Sequence, residues 1–168
     1  DSIIKHLETI HEKHKEDTGP KKKLVWFLDE NLDIKGKCNE LIRQSEESLT
    51  IVTTDDGLEI LFNAAHRLLD DMLENGVEIK LYSPLDPKVN PLARELSYIY
   101  QVKKVEVNTP ILFINSDNKR FILAKLASRG SEKPFESAIF ADDKELLGLV
   151  CLLLVNGHKE MLLKALNI

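Results

Sequence analysis

The sequence predicts an α/β sandwich, a mixed and largely parallel β-sheet flanked by helices and preceded by an N-terminal helix. Three observations predict it. Short apolar runs alternate with amphipathic stretches of helical period through the first half of the chain, the pattern of right-handed βαβ crossovers. The densest strand signal, Val107 to Lys125, reads as a strand, a polar turn and a strand, so a hairpin adds antiparallel strands. One further strand and a helical tail follow.

Residues 1–17 form a polar helical pattern with a narrow apolar seam. Ile3, Leu7, Ile10 and His14 are spaced 4, 3 and 4 apart, the alternating spacing of a coiled coil. Two heptads are too short to stand alone. The segment is therefore either an ordinary docked helix or the end of a longer dimerising one, with Ile3, Leu7 and Ile10 as dimerisation candidates. His6, His11 and His14 also lie here; a solvated helix face accounts for them, since a metal site needs a further ligand. Gly19-Pro20 and three lysines mark a boundary. The expected organisation is an N-terminal helix at 1–18, a linker at 19–23 and one α/β domain at 24–168.

Leu24 to Leu28 is a continuous apolar strand of the kind buried in parallel sheets. Ile34 to Ser48 is a helix, with Ile34, Cys38, Leu41, Ile42 and Ser45 on one face. Leu49 to Thr53 is the second strand, followed by capping residues from Thr54 to Gly57. Leu58 to Glu74 is a long amphipathic helix with Leu61, Ala64, Ala65, Leu68, Leu69, Met72 and Leu73 inward, stopped by Asn75-Gly76. Val77 to Tyr82 is the third strand. Pro91 opens a helix to about Tyr100. Lys104 to Val107 is a short strand into the hairpin, whose strands are Ile111–Ile114 and Phe121–Ala124. Asn115 to Asn118 is turn chemistry, because short polar side chains tolerate the left-handed conformation. Ser137 to Phe140 is the last strand, and Asp142-Asp143 cap a final helix that passes Asn156-Gly157 and ends near Leu166.

Composition narrows the function. The net charge is −5; residues 1–23 carry +1, so the body carries −6. An acidic body argues against a broad nucleic-acid-binding face, since phosphate affinity comes from clustered cations. The two cysteines, Cys38 and Cys151, are far apart and on apolar helix faces, which points to packing and a reducing, cytoplasmic setting. The longest apolar run, around Leu149 to Val155, is about half of the ~20 residues a bilayer span needs, so no membrane association is expected. A chain that starts at Asp1 rather than Met reads as a piece of a longer protein.

In open α/β sheets, ligands sit beyond the C-terminal ends of the parallel strands. Those ends supply Asp29, Glu30 and Asn31; Thr53 to Asp56; Ser83; and Asn108 and Asn115 if the geometry allows. Asp55, Asp56, Ser83 and Asn108 are the ligand-binding candidates, although helix capping and loop roles explain the same residues. No phosphate-binding glycine pattern and no G-x-S-x-G elbow occurs. His66 and His158 have no nucleophile near them in sequence. No cofactor is expected and no catalytic residue is assigned.

The order of elements resembles a phospholipase D-like half-domain, and above all the effector domain of TrmB-type archaeal transcription regulators. The stretches that carry the resemblance are CNELIRQSEESLTIVTTD, LLDDMLENGVEIKLYSP, ILFINSDNKRFILAKL and AIFADDKELLGLVCLLL, spanning residues 24–156. In that family a winged-helix DNA-binding domain is joined through a coiled coil to a phospholipase D-like domain. The resemblance implies a homodimer, DNA contact only through a domain upstream of this chain, and a small-molecule effector. Some such regulators respond to sugars. Here the only tryptophan, Trp26, lies inside a strand, so no aromatic sugar platform is evident and sugar specificity is not carried over.

Active phospholipase D enzymes carry H-x-K-x-x-x-x-D, in which the histidine attacks or protonates, the lysine binds phosphate and the aspartate orients the histidine. By position Asn108, Pro110 and Asn115 stand there in this chain. Asparagine is no nucleophile and proline offers no cation, so the two-step phosphoryl transfer has no first step. The expected function is a non-catalytic sensor and dimerisation domain of a transcription regulator. The alternatives are an α/β hydrolase or phosphodiesterase-like enzyme using Asp29, Asp55 or Asp56 with a metal, and a protein-docking scaffold with no small ligand.

Overall fold

A computed structural model of the chain describes residues 2–5, 7 and 24–154. Residues 2–5 and 7 are helical, with Ile3 exposed and Leu7 half-buried. Ile10, the rest of the heptad seam, the N-terminal histidines, the linker and the tail beyond Leu154 lie outside the described residues.

The elements run β1 (Leu24–Leu28), α1 (Asn31–Arg43), β2 (Ser48–Thr53), α2 (Asp55–Glu74), β3 (Glu78–Ser83), α3 (Pro91–Ser97), β4 (Gln101–Lys104), β5 (Ile111–Ser116), β6 (Arg120–Leu126), β7 (Phe135–Asp142) and α4 (Lys144–Leu154). They build one seven-stranded sheet in the order β1-β7-β6-β5-β2-β3-β4. The sheet is mixed, as expected, but its parallel part is confined to β2-β3-β4. The pairings β2-β5, β5-β6, β6-β7 and β1-β7 are antiparallel. The continuous apolar run of β1 suggested a parallel neighbour; in fact β1 lies at a sheet edge and pairs antiparallel with β7.

Alternate strand residues feed two cores, as the period of two requires. Leu49, Ile51, Ile79, Leu81, Leu112, Ile114, Ile122 and Ala124 pack with α1 and α2 in the larger cluster. Val52, Tyr82, Phe113, Phe121 and Ala141 form the smaller cluster on the other face, with Leu147 and Cys151 of α4. Ile34, Cys38, Leu41, Ile42 and Ser45 are buried together as the helical spacing predicts, whereas Ala64 is exposed. Both cysteines are buried free thiols; loss of hydration pushes the Cys38 thiol up to about 12 and that of Cys151 up to about 11.

Several boundaries differ from expectation for identifiable reasons. The hairpin strands extend to Ser116 and back from Arg120, because Asn115 and Ser116 pair with Thr50 and Leu49 and are buried. The turn is Asp117-Asn118, both with left-handed φ (55° and 53°), closed by the Lys119 N–H on the Ser116 carbonyl at 3.0 Å. α1 begins at Asn31 and ends at Arg43 rather than reaching Ser48. β4 comes earlier than Val105 and Val107 suggest, since its partner is β3, with Lys80 opposite Gln101. Asp142 belongs to β7, leaving the Asp143 carboxylate to accept the N–H groups of Glu145 and Leu146 at the start of α4. Gly76 has φ 88°, the left-handed stop that Asn75-Gly76 predicts.

Candidate functional site

The parallel strands β2 and β3 end at the edge of the sheet where β5 begins and β6 ends, since Thr53 lies opposite Leu112 and Leu112 opposite Ala124. Most polar residues at this edge bond the backbone. Asn31 clamps Phe135 from both sides, its amide donating to the Phe135 carbonyl at 2.8 Å and its oxygen accepting the Phe135 N–H at 2.9 Å. The Thr53 hydroxyl donates to the Ile111 carbonyl at 2.7 Å. Ser83 is fully buried and its Oγ accepts the Leu85 N–H at 3.3 Å. These side chains hold the rim together.

What remains open is a cleft of about 300 Å³ between the first turns of α2 and the β6-β7 loop, within the range of small-ligand sites. From α2, which begins after the Thr54 cap (Oγ1 accepts the Gly57 N–H at 3.2 Å), it is lined by Asp56, Glu59, Ile60 and Asn63. That spacing puts all four on one helix face. From the loop come residues 127–134, including Ser128, Arg129 and Lys133, and Pro110 closes one side. The Arg129 guanidinium donates to Asp56 Oδ1 at 2.9 Å across the cleft. Gly130, with φ 89°, turns the loop back, and the Ala127 N–H to Pro134 carbonyl bond (2.8 Å) closes its neck. Asp56 and Glu59 thus face the cleft from α2, and Arg129, Glu132 and Lys133 from the loop. The site can grip a small ligand with both acceptor and donor groups. Its hydroxyl groups, on Thr54, Ser128 and Ser131, have no histidine beside them among the described lining residues.

α2 reaches this edge because Gly57 permits it. A Cβ at Gly57 would lie 1.8 Å from Thr53 Oγ1 and 3.1 Å from Leu126 Cδ1. Glycine here sets how closely the helix start approaches the ends of β2 and β6.

Of the four ligand-binding candidates, only Asp56 lines the cleft. Asp55 is exposed on the first turn of α2, Asn108 is exposed before β5, and Ser83 is occupied by the β3 turn. Pro110 lies at the cleft wall, whereas Asn115 is buried towards the far end of β5, where its amide donates to Asn118 Oδ1 at 2.8 Å. His66 is the single histidine among the described residues; it is exposed, with Nδ1 2.9 Å from the Phe62 carbonyl of the preceding turn. Among the described residues no three His, Cys, Asp or Glu side chains gather as a metal site. Sequence reasoning missed Glu59, Asn63, Arg129 and Lys133. The Asp56, Glu59 and Asn63 stripe was legible at helical spacing, but nothing in a polar loop says which helix it will face.

No protein-family model and no curated protein matches the chain. Solved structures do. TrmBL2, an archaeal chromatin protein whose structure shows a novel mode of DNA binding, is similar with a TM-score of 0.56 at 14% identity over 95% of this chain. The chain spans 61% of that protein's length. NucT from Helicobacter pylori is similar with a TM-score of 0.55 at 16% identity, over 77% of this chain and 90% of that one. Nuc from Salmonella typhimurium, a phospholipase D family member, gives 0.57 at 10% identity, over 83% of this chain and 96% of that one. The chain therefore has a phospholipase D-like α/β fold.

Proposed function

We propose that this chain is the non-catalytic, phospholipase D-like domain of a TrmB-type transcription regulator, binding a small polar effector in the cleft between α2 and the β6-β7 loop. The observation that carries the reading is the residue set at the family's catalytic positions. Asn108, Pro110 and Asn115 offer no nucleophile and no phosphate-binding cation, and Asn108 and Asn115 lie at opposite ends of the β5 region. Similarity to an archaeal chromatin protein supports a regulatory setting. The acidic body supports DNA contact through another domain upstream. The protein works as a homodimer in the cytoplasm.

Phosphodiester hydrolysis is the competing reading, favoured by the likeness to a phospholipase D family member. A thermal-shift screen with individual sugars, nucleotides, amino acids and divalent metals separates the two. The expected result is stabilisation by a metal-free small molecule that is lost in Asp56→Ala and Arg129→Ala. Stabilisation by divalent metal, with phosphodiester turnover abolished by Asp55→Ala, would overturn the regulator reading. Stabilisation by nothing would favour a docking scaffold.

A further inference from the structure

The cleft between α2 and the β6-β7 loop is crossed by an ion pair, and a second pair of opposite charges stands on its walls unjoined. Asp56 and Arg129 form the bridge, at 2.9 Å. Glu59 lies one helical turn further along the same face of α2. Lys133 lies on the returning limb of the loop, past the Gly130 turn, where its backbone N–H donates to Ser131 Oγ at 3.3 Å. Both side chains line the cleft, both are exposed, and neither has an ion-pair partner among the described residues. The polarity of the Asp56–Arg129 bridge, carboxylate on the helix and cation on the loop, is thus repeated by Glu59 and Lys133 without contact between them.

We propose that Glu59 and Lys133 receive a small zwitterion of the amino-acid class, with its ammonium on Glu59 and its carboxylate on Lys133. The proposal rests on the effector cleft of the reading above and names its ligand class. The ligand spans the two walls in the same sense as the bridge beside it. That bridge ties the loop to α2, and the Ala127 N–H on the Pro134 carbonyl at 2.8 Å closes the loop's neck, so the wall that carries Lys133 is held in place. Ile60, Pro110 and Pro134 supply apolar contact for the ligand's side chain.

Charge sets the other ligand classes aside. Among the lining residues, Asp56, Glu59 and Glu132 outnumber Arg129 and Lys133. A phosphate ester carries about −1.5 to −2 near neutral pH and would add to that surplus. The start of α2 favours an anion, but Asp55 and Asp56 in its first turn already answer it. A neutral sugar would leave Glu59 and Lys133 unmatched, and no aromatic ring lines the cleft to take its apolar face. A divalent cation wants several oxygen ligands, and no three metal-ligating side chains gather among the described residues. Glu132 beside Lys133 weakens the hold on the ligand's carboxylate, which makes the ammonium contact the stronger requirement.

The test uses the full 168-residue chain. Thermal shift at millimolar concentration is measured with each common amino acid, with glucose and with glucose 6-phosphate. The amino acid that stabilises most is then compared with its decarboxylated amine and its deaminated acid by titration calorimetry. The amine should keep part of the affinity and the acid none. Glu59→Gln should weaken the amino acid and the amine alike, by about tenfold or more. Lys133→Gln should weaken the amino acid and leave the amine unchanged. Both variants should keep the unliganded melting temperature, since exposed side chains away from structural contacts matter little to stability. Comparison of the three compounds on the unmodified protein decides the class even if a variant does not fold. Stabilisation by glucose or glucose 6-phosphate alone, lost in Asp56→Ala and kept in Glu59→Gln, overturns the zwitterion while leaving the effector cleft intact. An amino acid whose affinity neither Glu59→Gln nor Lys133→Gln changes overturns the placement. Stabilisation by none of these compounds overturns the zwitterion class, and the reading of the cleft falls with it if the wider screen is also empty.

Discussion

The Asp117 carboxylate accepts the Ser48 backbone N–H at 2.9 Å, joining the tip of the β5-β6 hairpin to the start of β2. The same carboxylate takes the N–H of Glu47 at 2.8 Å and of Glu46 at 3.0 Å. In return the Asp117 N–H donates to the Ser48 carbonyl at 2.9 Å. The turn residue thus satisfies the donors of the α1-β2 loop and fixes the hairpin register at its tip.

Asp117→Ala should lower unfolding free energy by about 2 kcal/mol, since bonds to a charged acceptor are worth ~1.5–3 kcal/mol each and this carboxylate is half-exposed. Urea denaturation followed by circular dichroism measures it.

The pH dependence has a definite sign. Burial opposes ionisation of Asp117, but the N–H groups of Ser48, Glu46 and Glu47, with the Arg120 charge, outweigh it and hold the carboxyl below its ordinary value. A lowered folded-state value means the contribution is present above the unfolded value of about 3.9 and is lost as pH falls through the folded one. The stability difference between the unmodified protein and Asp117→Ala should therefore be constant near neutrality and shrink below about pH 4. A difference that grows with acid would contradict this assignment.

Gly57→Ala should destabilise by about 1–3 kcal/mol through overpacking. The atom in the way, Thr53 Oγ1, is fully buried and bonded to the Ile111 carbonyl, so it cannot swing aside. Adding Thr53→Ala should recover part of the loss despite its own cost; additive losses in the double variant would show that the contact is not limiting.

Asp56→Ala and Arg129→Ala should change stability by less than about 1 kcal/mol, because the pair is solvent-exposed and such pairs contribute little. Their effect should appear in ligand-induced stabilisation instead. A large loss of stability without ligand would make the ion pair structural.

Much of the fold was legible because strong local signals agreed with the tertiary outcome. The α1 and α2 faces, the Asn75-Gly76 stop and the hairpin follow from periodicity and turn chemistry. The antiparallel partner of β1 was not legible, since a continuous apolar strand looks alike in a parallel interior and at a sheet edge. β4 was shifted because pairing with β3, not the β-propensity of Val105 and Val107, decides it. At the site, Asp56 could be named from its place after β2. Ser83 could not be told from a ligand residue, because only the folded turn shows its Oγ meeting Leu85. Arg129 depends on where a loop lands, which no local pattern records.

The central claim is that the phospholipase D-like fold is retained here without its chemistry. Hydrolysis of bis(4-nitrophenyl) phosphate by the purified chain, with and without divalent metal, tests it most directly. The predicted result is no nitrophenolate release above buffer under either condition. Release that scales with protein and disappears in Asp55→Ala or Asp56→Ala would contradict it.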